Sequence, residues 1–156
     1  MTFIKHYFNC VWIFNCSTIF SSFFSSILDA AYVRPSFSLS RFAKNAQKAG
    51  LSKTLIGEGS FTVFAPRNVA FFDVDFNGLN KEALKKVMLR HIVPSEIRFE
   101  AMKEGSTELT SMDGSKITLT KEGNKATITT SSGTAKIKKF DILAKNGVIH
   151  IIDKVV

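Results

Sequence analysis

A chain of 156 residues with 45% hydrophobic content can bury one substantial core and is too short for two domains of ordinary size. Its formal charge of +8 and pI of about 9.6 favour contact with anionic surfaces such as glycans, acidic lipid or nucleic acid, and carry no information about fold. Fifteen phenylalanines stand against one tryptophan and two tyrosines, so most aromatic side chains lack a polar handle and are expected in the core or in a leader.

Lys5 precedes an uncharged run from residue 6 to residue 28, in which VWIF (11–14) is the most apolar block. A cation, a short apolar core and then small residues form a secretory-leader pattern. Residues 1–24 are read as that leader, with cleavage between 16 and 31, and residues 25–156 as one domain. Leu28-Asp29-Ala30 offers small residues at cleavage spacing, in competition with the serine-rich run 21–26. The alternative is a signal anchor, which would hold the domain on a membrane. Asn9, Asn15, Ser17, Thr18 and Ser21 interrupt the apolar run and raise its insertion cost. Cys10, Cys16 and the N-x-S/T sequon Asn15-Cys16-Ser17 all fall inside the leader. The expected mature domain therefore has no disulfide, thiol nucleophile or cysteine metal site, and holds together by burial alone.

The spacing predicts a helix over 36–50. Leu39, Phe42, Ala43 and Ala46 recur on one face, Ser36 or Ser38 stands at the start as a cap, and Gly50 supplies the stop. Arg41, Lys44 and Lys48 occupy the other side as a solvated basic face. Phe61 to Phe64 alternate as a strand that Pro66 ends, and 68–72 read as a helical turn. Asn80 caps a further helix whose face carries Leu84, Val87, Met88 and His91, and Pro94 closes it. A short helical piece is expected over 95–103.

After Gly105 the period falls to two. Ile117 and Leu119, Ala126 and Ile128, and Ala135 and Ile137 alternate with Thr and Lys, and Asp113-Gly114, Gly123-Asn124 and Ser132-Gly133 mark the turns. The closing GVIHIIDKVV (147–156) is nearly continuous in apolar residues, as expected of a strand buried on both faces. Helices followed by an antiparallel sheet give the fold class α+β.

FTVFAPRNVAF (61–71) and NGVIHIIDKVV (146–156) together resemble the two signature segments of the fasciclin domain family. The first fits at Thr62, Val63, Phe64, Ala65, Pro66, Asn68, Ala70 and Phe71, with Arg67 where a small hydroxyl residue is usual. The second fits at Asn146, Gly147, Val148, Ile149, His150, Ile151, Asp153 and Val155. LRHIVP (89–94) and the strand pair around MDG (112–114) fall between them in the expected order. The likeness extends upstream through RPSFSLSRFAKNAQKAGL, and Ile27-Leu28-Asp29 is its earliest candidate start, which would draw leader cleavage back toward the serines. The resemblance implies N-terminal helices packed on an antiparallel β-sheet wedge, with both signature strands in its core.

The resemblance also implies an extracellular module of cell adhesion and matrix assembly, secreted and contacting an integrin-like receptor or a matrix protein. In matrix members an Asp-Ile pair before the last signature and a Tyr-His pair at the end of the long helix are associated with integrin recognition. Asp141-Ile142 matches the first pair; of the second only His91 matches, because Arg90 replaces the tyrosine. The plain alternatives are a turn residue for Asp141 and hydrogen-bonded core histidines for His91 and His150. A second function class is a polyanion-binding module for glycosaminoglycan or anionic lipid. Its candidates are Lys136 and Lys138, which share a strand face, with Lys139 and with Thr127 and Thr129 on a neighbouring strand. Lysines that merely protect a solvated sheet edge are the alternative. Nucleic acid is not an expected partner, because few aromatics interleave the lysines. No catalytic motif, metal-ligand spacing or cofactor fingerprint is present, and His150 and Asp153 point to opposite faces of a strand, so no enzyme is expected.

Overall fold

A computed structural model describes residue 27, residues 38–72, residue 76 and residues 78–156. The leader reading lies outside the described residues. Three helices occur among those described, α1 (Ser40–Lys48), α2 (Ser52–Ile56) and α3 (Lys81–Arg90). Seven strands follow or interleave them: β1 (Phe61–Pro66), β2 (Ile92–Val93), β3 (Gly105–Thr110), β4 (Lys116–Glu122), β5 (Lys125–Thr130), β6 (Gly133–Ala144) and β7 (Gly147–Ile152). They form one sheet in the order β2-β1-β7-β6-β5-β4-β3.

The pairing is antiparallel throughout except between the two signature strands. There β1 and β7 run parallel, from Phe61 opposite Gly147 to Pro66 opposite Ile152. A parallel pair in mid-sheet is covered on both faces, and β1 is accordingly buried from Thr62 to Pro66 where alternation was expected. Period two still decides which core each side chain enters. Val63, Ala65, Ile149 and Ile151 pack with Phe42, Ala43 and Ala46 of α1 and Leu84 and Met88 of α3. Phe64 and Ile152 turn the other way, into a second core with Ile117, Leu119, Ile128 and Ile137 from β4–β6. Each Val, Leu, Ile, Met or Phe side chain among them stabilises the fold by about 1.5–3 kcal/mol on burial. The Met112 N–H donates to the Ile92 carbonyl at 2.8 Å, which draws the β3–β4 connection against β2 and curls the sheet toward a barrel.

Two helix starts show how local and distant caps differ. Asn80 caps α3 as expected, its Oδ1 accepting from the Ala83 N–H at 2.8 Å. For α1 the predicted start was too early. The helix begins at Ser40, no side chain at its own N-cap makes a bond, and Ser38 sits at φ +49°. The expected cap at Ser36 lies outside the described residues. Helix α1 is capped instead by Asn68, whose Oδ1 accepts the Arg41 N–H and whose Nδ2 donates to Ser40 Oγ, both at 3.0 Å.

The expected helical piece over 95–103 shrinks to a 3-10 turn at Phe99–Ala101. The reason lies in its backbone groups, which are engaged elsewhere. The Ser95 carbonyl accepts from Thr62 Oγ1 at 2.6 Å, the Ile97 N–H donates to that same oxygen at 2.8 Å, and the Phe99 N–H donates to Asp141 Oδ1 at 3.0 Å. Groups so engaged cannot form an i to i−4 ladder.

Candidate functional site

Asp141 does not lie in a turn before the last strand. Strand β6 continues through it to Ala144, and the register against β7 slips between Ile137 and Lys139 and again between Lys139 and Ile142. Such bulges re-aim side chains. Here they leave both Lys138 and Lys139 exposed and put Asp141 in the left-handed region at φ +52°. Aspartate tolerates that region better than most residues. Its conformation is held from two sides: the Asp141 N–H donates to His150 Nδ1 at 3.3 Å, and Asp141 Oδ1 accepts the Phe99 N–H.

Beneath the bulge, His150 is fully buried and donates from Nε2 to the Ile97 carbonyl at 2.8 Å. A carbonyl on one ring nitrogen and an N–H on the other fix a neutral tautomer. Burial lowers its pKa, against the opposing effects of the Ile97 hydrogen bond and the Asp141 charge. The His150 ring stacks on Phe64 at 5.7 Å and meets the edge of Phe140 at 6.0 Å. Phe140 in turn packs on Phe99 at 4.2 Å, and Lys121 Nζ lies 4.5 Å from the Phe99 centroid while donating to the Phe99 and Met102 carbonyls. The result is a rigid, half-exposed shelf of Phe99, Phe140 and Asp141 over a buried histidine. It is built to present a surface; among these groups, none is arranged as a nucleophile with its base.

The other candidates separate in space. Ile142, although adjacent to Asp141, is 7% exposed and packs in the core with Ile149 and Ile151. Its neighbour Leu143 is 42% exposed and is the apolar side chain the bulge offers to solvent. His91 is not at the surface: it is fully buried, Nδ1 donating to the Val87 carbonyl at 2.8 Å and Nε2 accepting the Val156 N–H at 3.2 Å. It cannot touch a partner directly, because it ends α3 pointing into the core beside Phe42. Lys136 and Lys138 do share the outer face, alternating with buried Ala135 and Ile137. Lys138 Nζ lies 3.8 Å from Asp153 Oδ2, and Asp153 Oδ1 accepts the Lys136 N–H at 2.8 Å. One carboxylate thus stands beside the Lys138 ammonium and partly offsets its charge.

Three signature residues have roles that periodicity did not reveal. Thr62 ties β1 to residues 95–97. Asn68 caps α1. Asn146 is 8% exposed; its Oδ1 accepts the Ile27 N–H at 3.0 Å and its Nδ2 donates to the Leu55 and Gly57 carbonyls at 2.7 and 3.2 Å. Each is a polar residue within an apolar motif, and that was the available signal. A buried polar side chain without partners costs enough that such residues are expected to carry hydrogen bonds.

Two adjacent parallel signature strands, helices over one face and a curled antiparallel extension define an α+β domain. The chain belongs to the fasciclin domain family, whose domain model matches residues 37–156. It is 34% identical over 120 residues to Protein sll1483 of Synechocystis sp., an alignment covering 69% of this chain and 61% of that protein. It is 33% identical over 111 residues to transforming growth factor-beta-induced protein ig-h3 of Sus scrofa (68% and 16%), and 32% identical over 121 residues to periostin of Homo sapiens (74% and 14%). The chain therefore spans less than two thirds of the length of each of these relatives. Among solved structures, the FAS1 domain pair from the insect cell adhesion molecule fasciclin I superposes with a TM-score of 0.66 at 16% identity, covering 79% of this chain and 46% of that one; the two share the fold.

Proposed function

We propose that this chain is a secreted, extracellular adhesion module that binds a cell-surface receptor of integrin-like type or a matrix protein, and that it is a binding protein and not an enzyme. Membership of the fasciclin family, with a fold shared with a cell adhesion molecule, supports the class. The observation that carries the contact is the placement of Asp141: a carboxylate at the surface, locked in a left-handed bulge beside Phe99 and Phe140 and followed by exposed Leu143. Preorganised side chains lose little freedom on binding. Ile142 contributes by anchoring the bulge to the core. His91 acts only through the fold. The burial of Ile27 and its bond to Asn146 support a domain that starts upstream of it, at residue 25, with the leader removed before that point.

The test is cell attachment to surfaces coated with the protein. Asp141→Asn keeps an acceptor for the Phe99 N–H and tolerates the positive φ, so it removes charge without removing the bulge. Attachment is expected to fall with Asp141→Asn and with Leu143→Ser while the unfolding midpoint stays within experimental error. Full attachment by both variants would exclude the bulge as the contact.

A further inference from the structure

The structure gathers a second group of exposed cations on the helical layer, away from β6. On the sheet, three lysines have carboxylate company. Lys116 lies 3.4 Å from Glu108, Lys121 is 3.8 Å from Glu104, and Lys138 is 3.8 Å from Asp153. The helices differ. Between residues 38 and 60 Glu58 is the only carboxylate, and on α3 Glu82 is the only one. Lys44, Lys48, Lys81 and Lys85 are all exposed, and none makes an ion pair among the described residues.

These cations form one strip. Arg41, Lys44 and Lys48 lie on the side of α1 opposite buried Phe42, Ala43 and Ala46, and they span about 10 Å along its axis. Helix α3 runs antiparallel to α1. Its last turn meets Phe42 through His91, and its first residue, Lys81, stands over the end of α1, with its Cε 3.7 Å from where a Cβ on Gly50 would be. The strip therefore continues from Lys48 to Lys81 and Lys85. At its other end Arg41 lies over the Phe72 ring, 4.3 Å from the centroid, and Phe72 is 70% exposed.

We propose that this strip is a binding site for a sulfated glycosaminoglycan chain. A row of exposed cations in which Glu82 is the one carboxylate among the described residues of α1 and α3 matches a linear polyanion, and attraction summed along a row steers and holds such a ligand where single lysines do not. Arg41 adds a guanidinium fork suited to sulfate or carboxylate, and the open face of Phe72 offers an apolar platform for a sugar ring. A lipid bilayer fits less well. The apolar side of α1 is wholly engaged in the core, so no amphipathic face remains to enter the headgroup boundary.

The experiment uses heparin as the probe and the full chain. The charge-reversed pair Lys44→Glu/Lys48→Glu is compared with Lys136→Glu/Lys138→Glu, which makes the same change in net charge on the sheet; Lys44→Gln/Lys48→Gln serves where reversal disturbs folding. The α1 pairs are expected to elute from heparin at clearly lower salt, and the slope of log K against log salt to fall by about two, one for each lost contact. The sheet pair is expected to elute close to the parent. Equal losses from both faces would show that net charge alone governs retention and would overturn the site. So would unchanged retention of the α1 pairs. Binding to vesicles containing anionic phospholipid that depends on Lys44 and Lys48, without retention on heparin, would replace the glycan with a bilayer.

Discussion

The side chain of Asn68 caps a helix that begins 28 residues earlier in the chain: its Oδ1 accepts the Arg41 N–H at 3.0 Å, and its Nδ2 reaches Ser40 Oγ. The start of α1 has no cap of its own, so the first signature segment completes it. Asn68→Ala is expected to destabilise the protein by about 1 kcal/mol, the usual cost of losing an N-cap acceptor, and Asn68→Asp by much less. Urea unfolding midpoints measure both. Equal midpoints for Asn68→Ala and the parent would show that another group satisfies the Arg41 N–H.

Gly147 opens the second signature strand at φ +151°, with its α-carbon pressed against β1. A Cβ there would collide with the Phe61 carbonyl oxygen and come within 2.9 Å of its carbon, and this backbone is fixed by the parallel pairing. Gly147→Ala is expected to cost about 3 kcal/mol or more, well beyond an ordinary surface change, and to lower soluble yield. A midpoint close to the parent would mean that β1 and β7 can separate locally without loss.

Stability is expected to fall in mild acid. Burial lowers the His91 pKa from 6.5 to about 4, opposed by the hydrogen bond to Val87, with Arg90 lowering it further and Asp113 raising it. The unfolded chain takes up the proton first. The contribution of neutral His91 is therefore complete above pH 6.5 and is lost progressively as pH falls toward 4, to a total of about 3 kcal/mol. His150 acts in the same direction. Protonating His91 Nε2 also removes the acceptor of the Val156 N–H. Guanidinium unfolding at pH 7.5 and pH 5 checks this, and His91→Gln is expected to flatten the difference. An unchanged pH slope in that variant would assign the acid sensitivity elsewhere.

Asp141→Ala combines two losses, the acceptor for the Phe99 N–H and a residue type that tolerates φ +52°. It is expected to cost about 1–2 kcal/mol, whereas Asp141→Asn is expected to be nearly neutral. Thermal unfolding of the two variants side by side separates the structural role of Asp141 from its role in attachment. A wild-type midpoint for Asp141→Ala would show that the bulge is held by its other contacts.

What the sequence by itself determined is what depends on near neighbours. The alternation through Ile117, Leu119, Ala126, Ile128, Ala135 and Ile137 specified strands with one buried face, and they are strands. Asn80 announced α3 because its acceptor and the Ala83 donor are three residues apart. The apolar run of the second signature announced a strand buried on both faces, and Pro66 marked the end of β1. Tertiary structure alone decided the rest, because the partners lie far along the chain. The parallel register of β1 on β7 was fixed by two strands brought together from opposite ends of the domain. Residues 95–103 did not become a helix because Thr62 and Asp141 claim their backbone groups. Helix α1 received its cap from Asn68. Asp141 sits in a bulge and not in a turn because β6 stays paired with β7 on both sides of it, with the register shifted across it. The charge pattern divides in the same way: composition gave the net charge, but only the fold set Asp153 beside Lys138 and brought the lysines of α1 and α3 into one row, since electrostatic compensation depends on distance in space and not on order in the chain.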